Sequence, residues 1–243
     1  MKINLWGTSH GFNEKNQFTS STMIEAGDSY YMLDAGGPVE WLMVNNDKPY
    51  DKIRGIFISH MHSDHVGSLT ELIIPMLRFR FNDKATCFFP SEEGKEGFIE
   101  WVKVLGGTDE KIRSTVKMEV THEGKVFEDK NIKVLARPTL HMGDKPAYAY
   151  IFEADGKKVL FTCDMAWGFS EYPDILSGEH YDLVICEMAH NKLVDAKELL
   201  KNTDTDRMII THYYLPQVEG YEEIFKTFPF PIELAKDGME IEL

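Results

Sequence analysis

Ser59-His60-Met61-His62-Ser63-Asp64-His65-Val66 places four side chains able to bind a metal within six residues. Imidazole and carboxylate are the donors preferred by borderline-hard divalent cations, and such cations drive hydrolysis. A lone histidine in a polar loop more often satisfies a backbone group. Four donors in HxHxDH order at the end of an apolar run call for a metal instead. In a tight turn leaving a strand, His60 and His62 can point one way and Asp64 and His65 another. One loop could then serve two ions.

The elements around this cluster must hold it. Ile53 to Ser59 is nearly continuous apolar sequence, which predicts a strand buried on both faces that delivers the chain to His60. Before it, Lys2 to Trp6, Ser21 to Glu25 and Tyr30 to Leu33 read as strands, with Gly27-Asp28 as a hairpin turn. A helix is expected over Val39 to Val44, after Pro38. Beyond the cluster, Ser68 to Leu77 reads as a helix that Pro75 ends or kinks, and Phe98 to Leu105 as a helix stopped by Gly106-Gly107. From Val116 to Thr162 the pattern is strand again, with a hairpin turn at Asp155-Gly156. The last part alternates: strand Leu183 to Cys186, helix Asp195 to Leu200, strand Arg207 to Thr211, helix Tyr221 to Phe228. Strands first and interleaved helices later suit stacked layers of helix and sheet.

Composition narrows the function classes. The chain has 243 residues, 43% of them hydrophobic, enough for one sizeable core. Lys and Arg number 26 against 40 Asp and Glu, a net charge of −14 that repels phosphate backbones. General nucleic-acid binding is therefore not expected. The longest apolar stretch, Leu72 to Leu77, is too short for a bilayer and contains Pro75, so no membrane association is expected. Met1 to Gly7 lacks the apolar core of a secretory signal, and Cys87, Cys163 and Cys186 form no CxxC pair. A cytoplasmic setting follows as the expectation.

HxHxDH after an apolar strand resembles the metallo-β-lactamase-fold metallohydrolases. The later landmarks of that superfamily have counterparts here: His141 in Thr139-Leu140-His141, Asp164 in Phe161-Thr162-Cys163-Asp164, and His212 in Ile210-Thr211-His212. Leu33-Asp34-Ala35-Gly36 is similar to its third-strand ending. The resemblance implies an α/β (α+β) fold, a four-layer αββα sandwich, with residues 1–243 as a single hydrolase domain. It implies one divalent ion held by His60, His62 and His141, and a second held by Asp64, His65 and His212, with Asp164 bridging. Zn²⁺ is the first choice of metal, with Mn²⁺ and Fe²⁺ as alternatives. A hydroxide shared by two such ions would be the nucleophile, and Asp64 would help orient it.

Ligand identity separates branches of the superfamily. Diiron oxidoreductases usually carry glutamate at the position of His62, and common β-lactamases place cysteine at that of Asp164. Cys163 is expected to replace the glycine of a TGD-like motif rather than to ligate. Gly7-Thr8-Ser9, Asp164 and Cys186-Glu187-Met188-Ala189-His190 look most like the ribonuclease Z and phosphodiesterase branch. Its bacterial tRNA-processing members commonly insert a long arm in the interval corresponding to His141–Asp164, which is short here. The expected substrate is thus a small phosphodiester or cyclic phosphodiester, not tRNA. A carboxylic ester, lactone or thioester is the alternative, and a non-catalytic metal-dependent sensor stands behind both.

Several residues keep two readings. His190 could donate a proton to the leaving group with help from Glu187, or be a solvent-facing residue beside a capping carboxylate. Asp34 could orient a ligand imidazole through its far nitrogen. His10 could line the pocket but is expected on a surface loop, and His122 and His180 carry no signal. Met76 to Phe81 alternates with period two, so that Arg78 and Arg80 could grip phosphate while Phe79 and Phe81 face the core. Such arginines more often lie on a solvated face. A homodimer is left open.

Overall fold

A computed structural model of the chain describes residues 1–79 and 84–243. The first half runs β1 (Lys2–Gly7), β2 (Ser21–Ala26), β3 (Ser29–Ala35), α1 (Val39–Asn45), β4 (Ile53–Phe57), α2 (Ser63–Val66), α3 (Leu69–Phe79), β5 (Ala85–Phe89), α4 (Glu92–Val104), α5 (Asp109–Thr115) and β6 (Val116–Val120). The second runs β7 (Gly124–Glu128), β8 (Lys133–Pro138), β9 (Tyr148–Ala154), β10 (Lys157–Phe161), α6 (Tyr172–Leu176), β11 (Leu183–Glu187), α7 (Leu193–Lys201), β12 (Met208–Thr211), α8 (Tyr221–Phe225), β13 (Ile232–Leu234) and β14 (Met239–Glu242).

The strands form two seven-stranded sheets, ordered β14-β1-β2-β3-β4-β5-β6 and β13-β12-β11-β10-β9-β8-β7. Each begins with antiparallel hairpins and becomes parallel further along the chain, from β3 through β6 and from β10 through β13. The β9–β10 turn is the expected Asp155-Gly156. Both residues have positive φ, 55° and 74°, as a type I′ hairpin requires. Helices α1, α3, α4 and α5 cover the outer face of the first sheet through Val39, Leu72, Ile73, Phe98 and Ile112. Tyr172, Ile175, Leu193 and Leu200 of α6 and α7 cover the second. Between the sheets, Phe57 stacks on Phe88 at 5.1 Å and meets Phe152 edge-on at 5.5 Å. Each fully buried aromatic of this kind contributes about 1.5–3 kcal/mol. The result is the four-layer αββα sandwich expected from the sequence.

The structure departs from the sequence reading in several places. Pro75 does not stop α3, which continues to Phe79. The period-two reading of Met76 to Phe81 therefore fails as far as it is described, and Phe79 is 68% exposed rather than core-facing. Arg80 and Phe81 lie outside the described residues. Helix α4 begins six residues earlier than expected, at Glu92, because the Ser91 Oγ accepts from the Gly94 N–H and caps it. Strands β5, β13 and β14 and helices α2, α5 and α6 were not anticipated. Each is seven residues or fewer, too short for periodicity to register against its neighbours. Among the described residues no helix is long and apolar enough to cross a membrane.

Candidate metal centre

Strand topology accounts for where the donors meet. Strands β4, β8, β10, β11 and β12 all end at one edge of the sandwich, and His60, His141, Asp164, Glu187 and His212 lie in or just beyond those ends. Such edges are where α/β sheets place their ligands. Leaving β4, the chain sets His60, then His62 as the residue before α2, and the single turn of α2 swings Asp64 and His65 to the other side. Gly36 lets this loop approach β3, since a Cβ there would stand 1.7 Å from the Asp64 carbonyl oxygen. Asp34, Cys163 and His212 each adopt left-handed backbone, with φ of 57°, 48° and 47°. Asp and His tolerate this region better than most residues, and strained backbone of this kind gathers at functional sites.

Two donor groups result. Ligand atoms of His60, His62, His141 and Asp164 lie within 4.8 Å of one another, as do those of Asp64, His65 and His212. The His62 Nδ1 sits 3.0 Å from the His60 Nε2 and 3.1 Å from the His141 Nε2. Two imidazole nitrogens on one tetrahedral zinc would be about 3.3 Å apart. Asp164 touches both groups: its Oδ2 lies 3.7 Å from His60 Nε2, 3.6 Å from His141 Nε2 and 3.3 Å from His212 Nε2, while its Oδ1 lies 3.3 Å from His65 Nε2.

The far nitrogens of His60, His65, His141 and His212 are held in place. Asp34 Oδ2 pairs with His65 Nδ1 at 2.7 Å, and the same carboxylate accepts from the Ser59 N–H and Oγ–H at 2.7 and 2.8 Å. The Ser59 Oγ is 3.1 Å from His60 Nδ1, Ser20 Oγ is 2.9 Å from His212 Nδ1, and the Met165 carbonyl is 3.4 Å from His141 Nδ1. Partners of this kind set tautomer and ring orientation, leaving Nε2 for the ligand. The buried His65 Nε2 and Asp164 Oδ1 have no hydrogen-bond partner. Buried polar atoms are rarely left so, and a cation between them would satisfy both. The donor set fits divalent metal.

At the first donor group the charge states agree. Burial, reinforced by the His65 charge, holds His60 well below 6.5, and burial lowers His141 as well. Neutral imidazole is the ligating form. Burial opposes a charge on His65, but the Asp164 and Asp34 carboxylates outweigh it and raise its pKa. Burial would raise Asp64 and Asp164, yet His65 beside the first and His212 and His65 beside the second hold both carboxyls down.

Next to the donors lies a second constellation. Glu187 Oε1 pairs with His190 Nδ1 at 2.9 Å and accepts from the Met165 N–H, while Oε2 accepts from the Ala189 and His190 N–H groups. Glu187 thus caps a turn and orients an imidazole at once. Burial disfavours the His190 charge, but the Glu187 hydrogen bond and charge outweigh it and raise the pKa. The His190 ring packs edge-on against His141 at 4.5 Å and Trp167 at 5.6 Å.

Other expectations change. His10 is not on the surface: it is buried against Tyr214 at 4.8 Å and Phe12 at 4.5 Å, two residues of chain from His212 on the Tyr214 side. Arg78 is exposed in the last turn of α3. Cys163 packs against the inter-sheet core and joins neither donor group. Burial, then the Asp34 and Asp164 charges, push its thiol pKa up. His122 and His180 pair with surface groups, Glu123 O and Asp204.

Sequence reasoning missed Ser20, Ser59, Trp167 and Glu171. Glu171 Oε1 accepts from the Leu140 N–H at 3.0 Å and the Ala166 N–H at 2.7 Å, tying the His141 loop to the Asp164 loop. Glu171→Ala is expected to cost about 2–3 kcal/mol in urea unfolding, with Glu171→Gln recovering part because its amide oxygen still accepts. Burial opposes the Glu171 charge, but these backbone donors outweigh it and lower its pKa from 4.5. The stabilisation is therefore complete above the unfolded value and lost as pH falls through the folded one. An unchanged unfolding midpoint for Glu171→Ala would show that the tie carries no stability.

Comparison with known proteins agrees with this fold. A family profile described as "Anti-Pycsar protein Apyc1" matches residues 1–220. Ribonuclease Z of Mycobacterium sp. (strain KMS) is 23% identical over an alignment of 277 residues, covering 100% of this chain and 96% of that protein. Anti-Pycsar protein Apyc1 of Bacillus phage BSP38 is 24% identical, with 87% of this chain and 88% of the phage protein covered. Among solved structures, the metallo-β-lactamase-fold protein YhfI from Bacillus subtilis superposes with a TM-score of 0.79 at 19% identity, over 100% of this chain and 99% of its own.

Proposed function

Because the chain belongs to the family of the anti-Pycsar protein Apyc1 and is a metal-dependent hydrolase of the metallo-β-lactamase fold, we propose that it hydrolyses a small phosphodiester or cyclic phosphodiester. In this reading His60, His62 and His141 hold one divalent ion, Asp64, His65 and His212 hold a second, and Asp164 serves both. The observation that carries it is the Asp164 carboxylate, in reach of imidazoles from both groups. Divalent cations supply Lewis acidity toward a phosphoryl oxygen and lower the pKa of water toward neutrality.

The chain's own residues do the rest. Asp34 and Ser59 keep His65 and His60 oriented, so the donors need not reorganise as charge develops on the phosphoryl group. Asp64, at the edge of its group, also accepts a hydrogen bond from the attacking water and aligns it. Glu187 occupies His190 Nδ1, which leaves Nε2 to hand a proton to the departing oxygen. The net charge of −14 favours a small substrate over a polyanion, and the His141–Asp164 interval is filled by β9 and β10.

Protein loaded with Zn²⁺ or Mn²⁺ and desalted is expected to retain about two ions per chain. It should hydrolyse bis(4-nitrophenyl) phosphate and cyclic diesters while leaving a tRNA precursor intact at physiological salt. Elemental analysis and a substrate panel check this. Retention of no metal, or efficient RNA processing without small-diester hydrolysis, would overturn the proposal. Turnover of lactones or carboxylic esters alone would move the substrate class to carbon centres.

A further inference from the structure

On the side of the cluster where His62 lies, a groove of 390 Å³ opens that none of the steps above uses. Two of its walls come from neighbours of proposed ligands: Met61, between His60 and His62, and Met142, beside His141. Facing them is α4, with Gly94, Gly97 and Phe98 on the groove. At the mouth Lys145 and Glu93 pair at 3.5 Å and cancel each other's charge. Ser91, also lining the groove, is committed to the α4 cap.

The two glycines separate packing from vacancy. A Cβ at Gly94 would lie 2.9 Å from the Met61 Cγ and Sδ, so an alanine there would push the flexible Met61 thioether toward the groove wall's other side chains. A Cβ at Gly97 would meet nothing within 4 Å. Glycine inside a helix costs about 0.5–1 kcal/mol relative to alanine, and no neighbour in the protein repays that cost at Gly97. Gly97 is exposed on the groove wall, and the space in front of it is open.

We propose that this groove is a substrate subsite seating a flat, uncharged apolar ring carried by the phosphodiester. The proposal rests on the phosphodiesterase reading above and adds the group that the substrate bears. Thioether and aromatic walls give polarisable contact without directional hydrogen bonds, and the paired mouth charges favour no ionic group. The volume is at the small end of ligand pockets, suited to one ring system rather than a chain of residues or nucleotides. Continuity through His62 brings an occupant to the donors.

Two diesters sharing a 4-nitrophenyl leaving group test it, one carrying methyl and the other 2-naphthylmethyl. The wild-type, metal-loaded protein is expected to favour the naphthylmethyl diester about tenfold or more in kcat/KM, through KM. Gly97→Phe, which fills the groove, should bring that ratio near one, and Gly97→Ala should leave most of it. Thermal melts should show both variants folded. A binding measurement needs no turnover: 2-naphthylmethyl phosphonate should bind wild type about tenfold tighter than Gly97→Phe. A wild-type ratio near one, or a ratio that Gly97→Phe leaves in place, overturns the subsite. If neither diester is hydrolysed, the phosphodiesterase reading fails instead, and phosphonate binding decides the groove. Equal affinity in wild type and Gly97→Phe then overturns it, and a tenfold difference upholds it.

Discussion

Asp164→Ala is expected to abolish hydrolysis, a loss of about 10³-fold or more, or roughly 4 kcal/mol of transition-state stabilisation, and to lower metal retention. Asp164 is buried, and its two oxygens reach His60, His65, His141 and His212 at 3.3–3.7 Å. Removing it takes away the carboxylate common to both donor groups and leaves His65 with Asp34 and Asp64 as its acidic neighbours. The adjacent Cys163→Ser should keep metal content and turnover near wild type, because that thiol belongs to neither donor group. Metal analysis and diester hydrolysis on both variants, with thermal melts to confirm folding, check the pair. The reverse ranking would place the metal on sulfur and move the site toward the β-lactamase arrangement.

His190→Ala should separate substrates by leaving group. Expelling an alkoxide needs a proton as the bond breaks, whereas a 4-nitrophenolate leaves without one. Positioned proton donation contributes about 10²–10⁴-fold. The Glu187 carboxylate at 2.9 Å fixes the His190 ring and raises its pKa against the opposing effect of burial, which keeps a proton available. The variant is therefore expected to retain both metals and most activity on aryl diesters, and to lose about 10²-fold or more on alkyl or ribose-type diesters. Glu187→Gln should reproduce part of the alkyl-selective loss, since an amide orients the ring but does not raise its pKa. Equal losses on both substrate classes would assign His190 to positioning the His141 ring, which it contacts at 4.5 Å. No loss on either would remove it from the reaction.

The donors were legible because metal chemistry restricts residue type and because each donor follows an apolar strand that reads clearly. The turn of α2 separates Asp64 and His65 from His60 and His62, as the spacing of HxHxDH implied. Helix α4 starts at Glu92 rather than Phe98 because the Ser91 cap holds a first turn that contains the helix-disfavouring Gly94, and that hydrogen bond is a geometric fact. Pro75 misled for a related reason: packing of Leu72, Ile73, Met76 and Leu77 into the first sheet's core carries α3 past it. Propensity is a weak prior against that much burial.

What the sequence determined was the inventory: which atoms can bind a cation, which strands are apolar enough to be buried, and a net charge unsuited to polyanions. What the tertiary structure alone decided was the pairing among distant residues. Ser20 on His212 and Glu171 across the His141 and Asp164 loops join positions far apart in the chain, and the fold selected His65 as the imidazole that Asp34 orients. No local pattern encodes such pairs. They arise when two sheets bring the carboxyl ends of separate strands to one edge, where each buried polar atom must find a partner or a ligand.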